Sequence, residues 1–246
     1  MFPTLQVGPL AIPTSGLVII IGIWIGLSIT ERYSERFQIH PSHINALVFL
    51  FIISGLLGAR LSFIFQHTQA FIANPLSIIS RNIELLDPFF GIVCAILACV
   101  IYIQKKHLLM LSVLDALVPM MIILLIATSL ADLASGSTYG KPSLLPWAIE
   151  LWGTRRHPTQ IYMLLLSGGL LWIFWPGKPK WASRQPGNYF LRFLASTAAV
   201  TIFLEAFRDS SQVIWEGIHS NQVIAWLLLA ICLFALRKIQ SPKLPS

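Results

Sequence analysis

The sequence predicts an all-α membrane protein: a bundle of seven transmembrane helices with an interfacial arm and an outward-facing central loop. Composition decides the class, because 56% of the 246 residues are hydrophobic, only 11% are charged and the mean hydropathy is +0.74. Soluble domains carry about 25% charged residues. The apolar runs are long and unbroken, which is typical of membrane helices, whereas the strands of a membrane barrel are short and alternating. We expect one integral membrane domain over residues 1–246.

The predicted spans all approach the roughly 20 residues that a helix needs to cross the hydrocarbon core. They cover residues 12–30, 42–66, 88–104, 108–133, 158–175, 189–207 and 220–236. Residues 67–87 are mixed and contain the turn signal Asn74-Pro75, so they predict an interfacial arm that lies on the membrane. The central loop occupies about residues 131–158 and is the longest break in the apolar pattern.

Ionisable side chains within the spans are costly in lipid and usually face the interior of a bundle. Arg60 lies near the outer end of the second span, where it either snorkels to the interface or faces a lipid headgroup. Gly58 beside it would let a neighbouring helix approach closely. Asp115, near the start of the fourth span, is expected in a structural hydrogen bond. Glu205 and Arg208 are three residues apart on one helix face, which favours either an ion pair or a shared substrate site.

The central loop concentrates cations just before a helix start. Pro158 suits the first turn of a helix, because its missing N–H costs nothing there. Arg155, Arg156 and His157 are therefore predicted at the mouth of a helix N-terminus, where free N–H groups and the helix dipole favour an anion. Two guanidinium groups at such an end favour a phosphate site. The His157 imidazole is expected either to cap the helix or to pair with a carboxylate such as Glu205.

Composition argues against several other classes. The net charge of +7 is scattered between hydrophobic runs, so no basic face predicts a nucleic-acid partner. The three cysteines, Cys94, Cys99 and Cys232, lie inside apolar runs and have no metal-ligand or disulfide spacing, so we expect neither a metal nor another cofactor. The first charged residue is Glu31, so a cleavable signal peptide is not expected. A transporter would need polar residues at the midplane or paired broken helices, of which there is little sign.

Basic residues predict the orientation of the spans. Ten Lys and Arg residues fall on one side of the predicted bundle: Arg32, Arg36, Lys105, Lys106, Lys178, Lys180, Arg184, Arg237, Lys238 and Lys243. Five fall on the other side: Arg81, Lys141, Arg155, Arg156 and Arg208. Because Lys and Arg accumulate in cytoplasmic loops, the C-terminus is predicted in the cytoplasm and the N-terminus outside, with the central loop.

Motifs along nearly the whole chain resemble those of the prolipoprotein diacylglyceryl transferase family. In order they are VGPLAIPTSGL, GLLGARLSFIF, LDALVP, YGKPSLLPWAI, RRHPTQIY and FLEAFR, with a later NQ. The most specific are YGKPSLLPWAI and RRHPTQIY, which lie close together in the central loop. The resemblance implies an enzyme of the bacterial inner membrane that moves a diacylglyceryl group from phosphatidylglycerol to the lipobox cysteine of a prolipoprotein.

The resemblance also implies roles for individual residues. A base is needed to form the cysteine thiolate, and His157 and Glu205 are the catalytic candidates. Cations are needed to stabilise the departing glycerol phosphate. The expected substrate-binding residues include the cations of the central loop; they are Arg60, Tyr139, Lys141, Arg155, Arg156, Gln160, Tyr162 and Arg208. The expected partners are phosphatidylglycerol, other membrane lipid and the signal region of a prolipoprotein.

The chain departs from the family pattern at positions that carry polar chemistry. Ser129 and Thr201 stand where the family has its phosphate-binding arginine and a second essential arginine. Ser15, Phe89 and Met163 stand where it has a tyrosine, a histidine and a glutamate. Two functions therefore remain open. One is a diverged transferase, and the other is a family member without the chemistry that acts as a lipid-binding or structural subunit of a larger membrane complex.

Overall fold

The computed structural model describes residues 4–7, 10–73, 82, 85–151, 153–182, 185–209, 213–215 and 218–240. The helices in these ranges are α1 (Thr14–Ser34), α2 (Pro41–Gln66), α3 (Thr68–Ala73), α4 (Pro88–Lys105), α5 (Met110–Ser135), α6 (Thr159–Ile173), α7 (Pro179–Ala182), α8 (Asn188–Glu205) and α9 (Ser220–Gln240). Short antiparallel hairpins join β1 (Thr4–Val7) to β2 (Leu10–Pro13), β3 (Ile149–Leu151) to β4 (Thr154–Arg156), and β5 (Val213–Trp215) to β6 (Ile218–His219).

The prediction of an all-α membrane protein is confirmed. Five helices of the described chain are long and apolar enough to cross a membrane: α1, α2, α4, α5 and α9. The predicted fifth span corresponds to α6, which is apolar but has only 15 residues. The predicted sixth corresponds to α8, an 18-residue helix that contains Arg192 and Glu205 and is not among the five. The count of seven spans therefore stays a prediction.

The outward faces of the long helices carry large apolar side chains. Trp24 on α1, Phe65 on α2 and Phe234 on α9 are each at least 70% exposed. Contiguous apolar surface of this extent is rare on soluble proteins. It suits lipid, and each helix satisfies its own backbone hydrogen bonds there.

Helix α5 lies at the centre of the bundle. In its most apolar stretch 56% of the residues are buried, compared with 11–22% in the other four candidate spans. It packs against α1, α6 and α8, and its Val113, Val118 and Ile122 belong to the core. The predicted structural role of Asp115 on α5 is confirmed: its carboxylate accepts hydrogen bonds from the N–H groups of Gly187 (2.6 Å) and Phe190 (2.7 Å). The carboxylate thereby ties α5 to the start of α8.

The remaining helices pack mainly in pairs, α2 with α4 and α8 with α9. At Gly58 of α2 an added Cβ would lie 2.5 Å from the Cβ of Cys94 on α4, so the close approach predicted from this glycine is confirmed. One end of the bundle, which we call the loop end, holds the central loop, the last turn of α8 and the first turn of α9.

Only part of the predicted interfacial arm is described, because residues 74–81, 83 and 84 lie outside the described ranges, and Arg81 is one of them. The described part begins with α3 and ends at Asp87. The Asp87 side chain accepts hydrogen bonds from the N–H groups of Phe89 (3.1 Å) and Phe90 (3.3 Å) at the start of α4, and from Gln66 Nε2 (2.6 Å). The hydrogen bond from Gln66 lowers the pKa of the Asp87 carboxyl below its ordinary value.

Candidate functional site

Three chain segments form a small ladder at the loop end. The central segment, residues 139–143, lies between residues 207–209, which follow α8, and residues 155–157 at the end of β4. The Lys141 N–H donates to Phe207 O (2.8 Å), and the His157 N–H donates to Lys141 O (3.0 Å). The ladder places three cationic side chains on neighbouring segments: Lys141, Arg156 and Arg208.

Gly140 makes the ladder possible. A Cβ at this position would lie 2.5 Å from His157 O, 2.6 Å from His157 Cβ and 3.0 Å from Phe207 O. Only a residue without a side chain lets both flanking segments come so close. The glycine of the Tyr-Gly motif is thus a packing requirement of the site.

The guanidinium of Arg156 is held by several groups of the loop. Nη1 contacts Asp209 Oδ2 at 2.8 Å and donates to Gly140 O at 3.3 Å, while Nε donates to Thr154 Oγ1 at 2.9 Å. Its carbon Cζ lies 4.7 Å from the centre of the Tyr139 ring, which is a cation–π contact. The Arg156 side chain is 16% exposed, so it is fixed in place and still reaches the surface of the loop.

Arg155 and Arg156 are neighbours on β4, and successive side chains of a strand point to opposite faces. Arg155 is exposed and stands opposite Glu150 on β3. The sequence placed both arginines at the mouth of one helix. The structure instead places them on a hairpin that comes before the helix, so their side chains do not converge on one point. A binding role for Arg155 stays a prediction.

Glu205 lies in a buried polar cluster with Arg208. The Glu205 side chain is 0% exposed, and its Oε1 accepts hydrogen bonds from Arg208 Nη1 (3.0 Å) and from Asn221 Nδ2 (3.2 Å). His219 Nδ1 lies 3.6 Å from Glu205 Oε2. Of the two open interpretations of Glu205 and Arg208, the ion pair is confirmed. The carboxylate, on the last residue of α8, holds the arginine in position, and Asn221 bonds to it from α9.

Sequence reasoning did not identify Asn221 and His219 as members of this site. The NQ motif was a signal for Asn221, because it belongs to the resemblance. His219 gave no usable signal, since it stands alone near a predicted span end. Only the hairpin of β5 and β6 brings it back to α8.

His157 faces an aromatic cluster. Its Nδ1 lies 3.3 Å from the Tyr162 hydroxyl, which also accepts a hydrogen bond from Trp147 Nε1 at 2.8 Å. The Phe207 ring centre is 5.4 Å from that of His157. The predicted cap by the imidazole is wrong, because α6 begins after Pro158 without a side-chain cap and Tyr162 takes the imidazole instead. The predicted pairing with Glu205 is also wrong, because that carboxylate binds Arg208 and Asn221.

The turn that leads into Tyr139 is clamped from two helices. Asp132 on α5 accepts hydrogen bonds from the hydroxyls of Ser137 and Thr138, both at 2.9 Å. On α6, Gln160 Nε2 donates to Ser137 O at 2.6 Å. The turn therefore fixes the position of residues 139–143 relative to the end of α5 and the start of α6.

Gln160 and Arg208 each have a buried polar atom with unmet hydrogen-bonding capacity. Gln160 is 1% exposed, and its Oε1 has no hydrogen-bond partner among the residues that the structure describes. The same holds for Arg208 Nε within those ranges. Buried polar atoms nearly always bind a partner. One unused acceptor and one unused donor therefore indicate a polar ligand or water beside the cations.

Other predicted residues lie around or away from this centre. Lys141 is exposed, and its Nζ donates to Ala206 O at 3.1 Å, just past the end of α8. Arg60 on α2 donates to Leu85 O at 3.0 Å, and its Cζ lies 5.8 Å from the Phe71 ring centre, so its contacts are with the arm. Within the described ranges no group of three or more His, Cys, Asp or Glu could hold a metal ion.

The hydroxyl residues at two family arginine positions are bonded to their own helices. Ser129 Oγ donates to Leu125 O at 2.7 Å, and Thr201 Oγ1 donates to Thr197 O at 3.0 Å. Each hydroxyl donates to the carbonyl four residues before it, a common geometry for hydroxyls inside helices. These positions add no cation, so the positive charge of the site rests on Lys141, Arg156 and Arg208, with Arg155 on the outer face of the hairpin.

Comparisons with known proteins identify the family of the chain. The sequence profile of the prolipoprotein diacylglyceryl transferase family matches residues 3–237. Proteins named phosphatidylglycerol–prolipoprotein diacylglyceryl transferase are similar to the chain. The one from Bordetella parapertussis is 28% identical over 83% of this chain and 81% of its own length. The one from Bordetella avium is 26% identical over 98% and 96%. The one from Methylococcus capsulatus is 30% identical over 72% and 69%. The chain therefore belongs to the prolipoprotein diacylglyceryl transferase family.

Proposed function

We propose that this chain transfers a diacylglyceryl group from phosphatidylglycerol to the cysteine thiol of a prolipoprotein in the bacterial inner membrane. Family membership supports the reaction class. The observation that carries the assignment is the ladder at the loop end, which places Lys141, Arg156 and Arg208 on three adjacent segments.

The three cations suit the phosphodiester of the donor lipid. Arg156 and Arg208 are positioned by Asp209 and Glu205, so their geometry is set before the lipid arrives. Pre-positioned charges stabilise a developing phosphate without reorganising during the reaction. Arg60, beneath the arm, and Arg155, on the outer face of the hairpin, are proposed to attract the anionic headgroup from the membrane surface.

The unused atoms suit the rest of the headgroup. Gln160 Oε1 is an acceptor, and the terminal glycerol of phosphatidylglycerol carries hydroxyl donors. Arg208 Nε is a donor that suits a phosphate oxygen. Tyr139, whose ring lies against the Arg156 guanidinium, is proposed to hold that guanidinium in place for the headgroup.

The reaction breaks one C–O bond and forms one C–S bond. The acceptor thiol loses its proton, the thiolate attacks the glyceryl carbon next to the phosphate, and glycerol phosphate leaves with the C–O electron pair. An ordinary cysteine has a pKa of about 8.5, so the thiolate needs a base near neutral pH. The cations stabilise the leaving phosphate.

His157 is proposed as that base. In the tautomer that carries the ring proton on Nδ1, His157 donates to the Tyr162 hydroxyl oxygen, which has a second lone pair for the Trp147 N–H. Nε2 is then unprotonated and accepts the proton of the thiol. Glu205 was the other candidate base, and we now propose that it positions Arg208.

The orientation of the termini completes the proposal. The excess of basic residues at the end opposite the central loop favours a cytoplasmic C-terminus, although Arg184 and Lys243 lie outside the described residues. The loop end would then face the outer leaflet. Reporter fusions after residues 2 and 246 test this, and an exported C-terminal reporter would contradict it.

Two observations favour a second function. Both central arginines are already paired with carboxylates of the chain, and the hydroxyls at two family arginine positions bond to their own helices. Such a site suits binding of phosphatidylglycerol without transfer, as in a structural subunit of a larger membrane complex.

The deciding experiment measures transfer of labelled diacylglyceryl from phosphatidylglycerol to a lipobox peptide, with complementation of cells depleted of their own transferase. We expect transfer by the wild type, and a loss of roughly 10²–10³-fold on removing one stabilising cation with Arg208→Ala. The matched control is Lys105→Ala, which removes a cation at the opposite bundle end and should leave the rate unchanged. Bound phosphatidylglycerol without any transfer would reject the enzyme in favour of the second function.

A further inference from the structure

A second cationic cavity lies at the bundle end opposite the central loop. It has a volume of about 870 Å³ and opens between the end of α6, α7, the first half of α8 and the last turns of α9. Lys180, Arg192 and Arg237 line it. No Asp or Glu is found among its described lining residues, so the cavity concentrates positive charge.

This cavity is separate from the site at the loop end. Arg192 precedes Glu205 by thirteen residues on α8. At 1.5 Å of rise per residue the two side chains are about 20 Å apart along the helix axis. A ligand that reaches Lys141 or Arg156 therefore does not reach this cavity, and a ligand here plays no part in the transfer chemistry proposed above.

The cavity has a fixed aromatic wall. Phe174 and Trp181 are 3% and 5% exposed, and their rings stack with centres 5.1 Å apart. Lys180 Nζ lies 4.7 Å from the Trp181 ring centre, and Arg192 Nε donates to Asn188 Oδ1 at 2.8 Å. Two of the cations are thus oriented by neighbouring side chains.

The remaining surface of the cavity is largely apolar. Ile173 from α6 and Leu233 and Leu236 from α9 lie beside the cations. An ion alone would need only the charged part of such a cavity. A molecule with a charged head and a hydrocarbon chain matches both parts.

We propose that this cavity binds the phosphate headgroup of an anionic phospholipid from the leaflet opposite the central loop. Arginine guanidiniums bind phosphate oxygens through two parallel hydrogen bonds, and lysine adds a point charge. Inorganic phosphate shares this chemistry, but the apolar lining favours a lipid whose chains lie against α6 and α9. The bound lipid would join the α8–α9 pair to α6 and α7.

The test is native mass spectrometry of the purified full chain with phosphatidylglycerol and, separately, with zwitterionic phosphatidylethanolamine. An Arg156→Ala background weakens the proposed donor site, so that lipid at the opposite end can be counted. We expect phosphatidylglycerol to remain bound in that background. Arg192→Ala and Arg237→Ala should each weaken it about fivefold, the effect of one cation at an anionic membrane surface.

Matched variants keep the result interpretable. Lys238→Ala removes the neighbouring charge of α9, which does not line the cavity, and should leave binding unchanged. Arg192→Lys keeps the charge and should retain most binding even where Arg192→Ala folds poorly. Equal binding of both lipids, unchanged binding in Arg237→Ala, or displacement of the lipid by excess inorganic phosphate would overturn the proposal. None of these outcomes bears on transfer at the loop end.

Discussion

Replacing Gly140 with alanine is expected to open the ladder at the loop end. The new Cβ would lie 2.5 Å from His157 O and 2.6 Å from His157 Cβ, whereas ordinary contacts begin near 3.4 Å. The flanking segments would have to separate by about 0.8–0.9 Å. This movement would strain the hydrogen bonds from Lys141 to Phe207 (2.8 Å) and from His157 to Lys141 (3.0 Å).

The magnitude follows from two contributions. Overpacking of a well-packed position costs about 1–3 kcal/mol. A weakened hydrogen bond costs about 0.5–1.5 kcal/mol, and two are affected here. We therefore expect a loss of roughly 2–6 kcal/mol, which corresponds to a fall in Tm of about 4–24 °C for a chain of this size. Transfer should fall further, since Arg156 and His157 move with the ladder.

The assay is thermal unfolding in detergent, followed by transfer of labelled diacylglyceryl. Gly168→Ala is the matched control, because nothing lies within 4 Å of a Cβ added at that position on α6. It should unfold at or above the wild-type temperature. If Gly140→Ala instead melts with the wild type and keeps its activity, the close approach of the three segments is not required, and the reasoning from the ladder fails.

Three further predictions concern single side chains. Asp115→Ala should lower the free energy of unfolding by about 1–3 kcal/mol, because two backbone N–H groups at the start of α8 lose their acceptor, and thermal unfolding in detergent measures it. The hydrogen bond from Gln66 lowers the pKa of the Asp87 carboxyl in the folded chain. Its contribution to stability is therefore present above the ordinary carboxyl pKa and is lost as the pH falls through the lowered, folded-state pKa. The difference in Tm between wild type and Asp87→Asn should accordingly shrink at acidic pH. His157→Asn should reduce transfer roughly 10²–10⁴-fold with little change in Tm, and an unchanged rate would remove His157 as the base.

The sequence alone determined the class of the protein and most of its helices. A helix in lipid must satisfy its backbone hydrogen bonds within itself, so a long apolar run is enough to predict it without knowing its neighbours. Local chemistry also predicted a structural hydrogen bond for Asp115. It offered the ion pair of Glu205 with Arg208 as one of two interpretations, because a spacing of three residues on a helix brings side chains to one face. The family resemblance rested on local motifs as well.

The tertiary structure decided which polar groups meet. The sequence predicted Arg155 and Arg156 as two cations at one helix start, but both lie on β4 of the β3–β4 hairpin. The register of β4 is set by its pairing with β3. For His157 the sequence offered a helix cap or Glu205 as partner, but the imidazole meets Tyr162 at the start of α6 and Phe207, which reaches it only through the ladder. Pairings of this kind depend on the relative positions of distant segments. The hydrophobic pattern of each segment carries no information about them, so the ladder at the loop end became visible only in the folded chain.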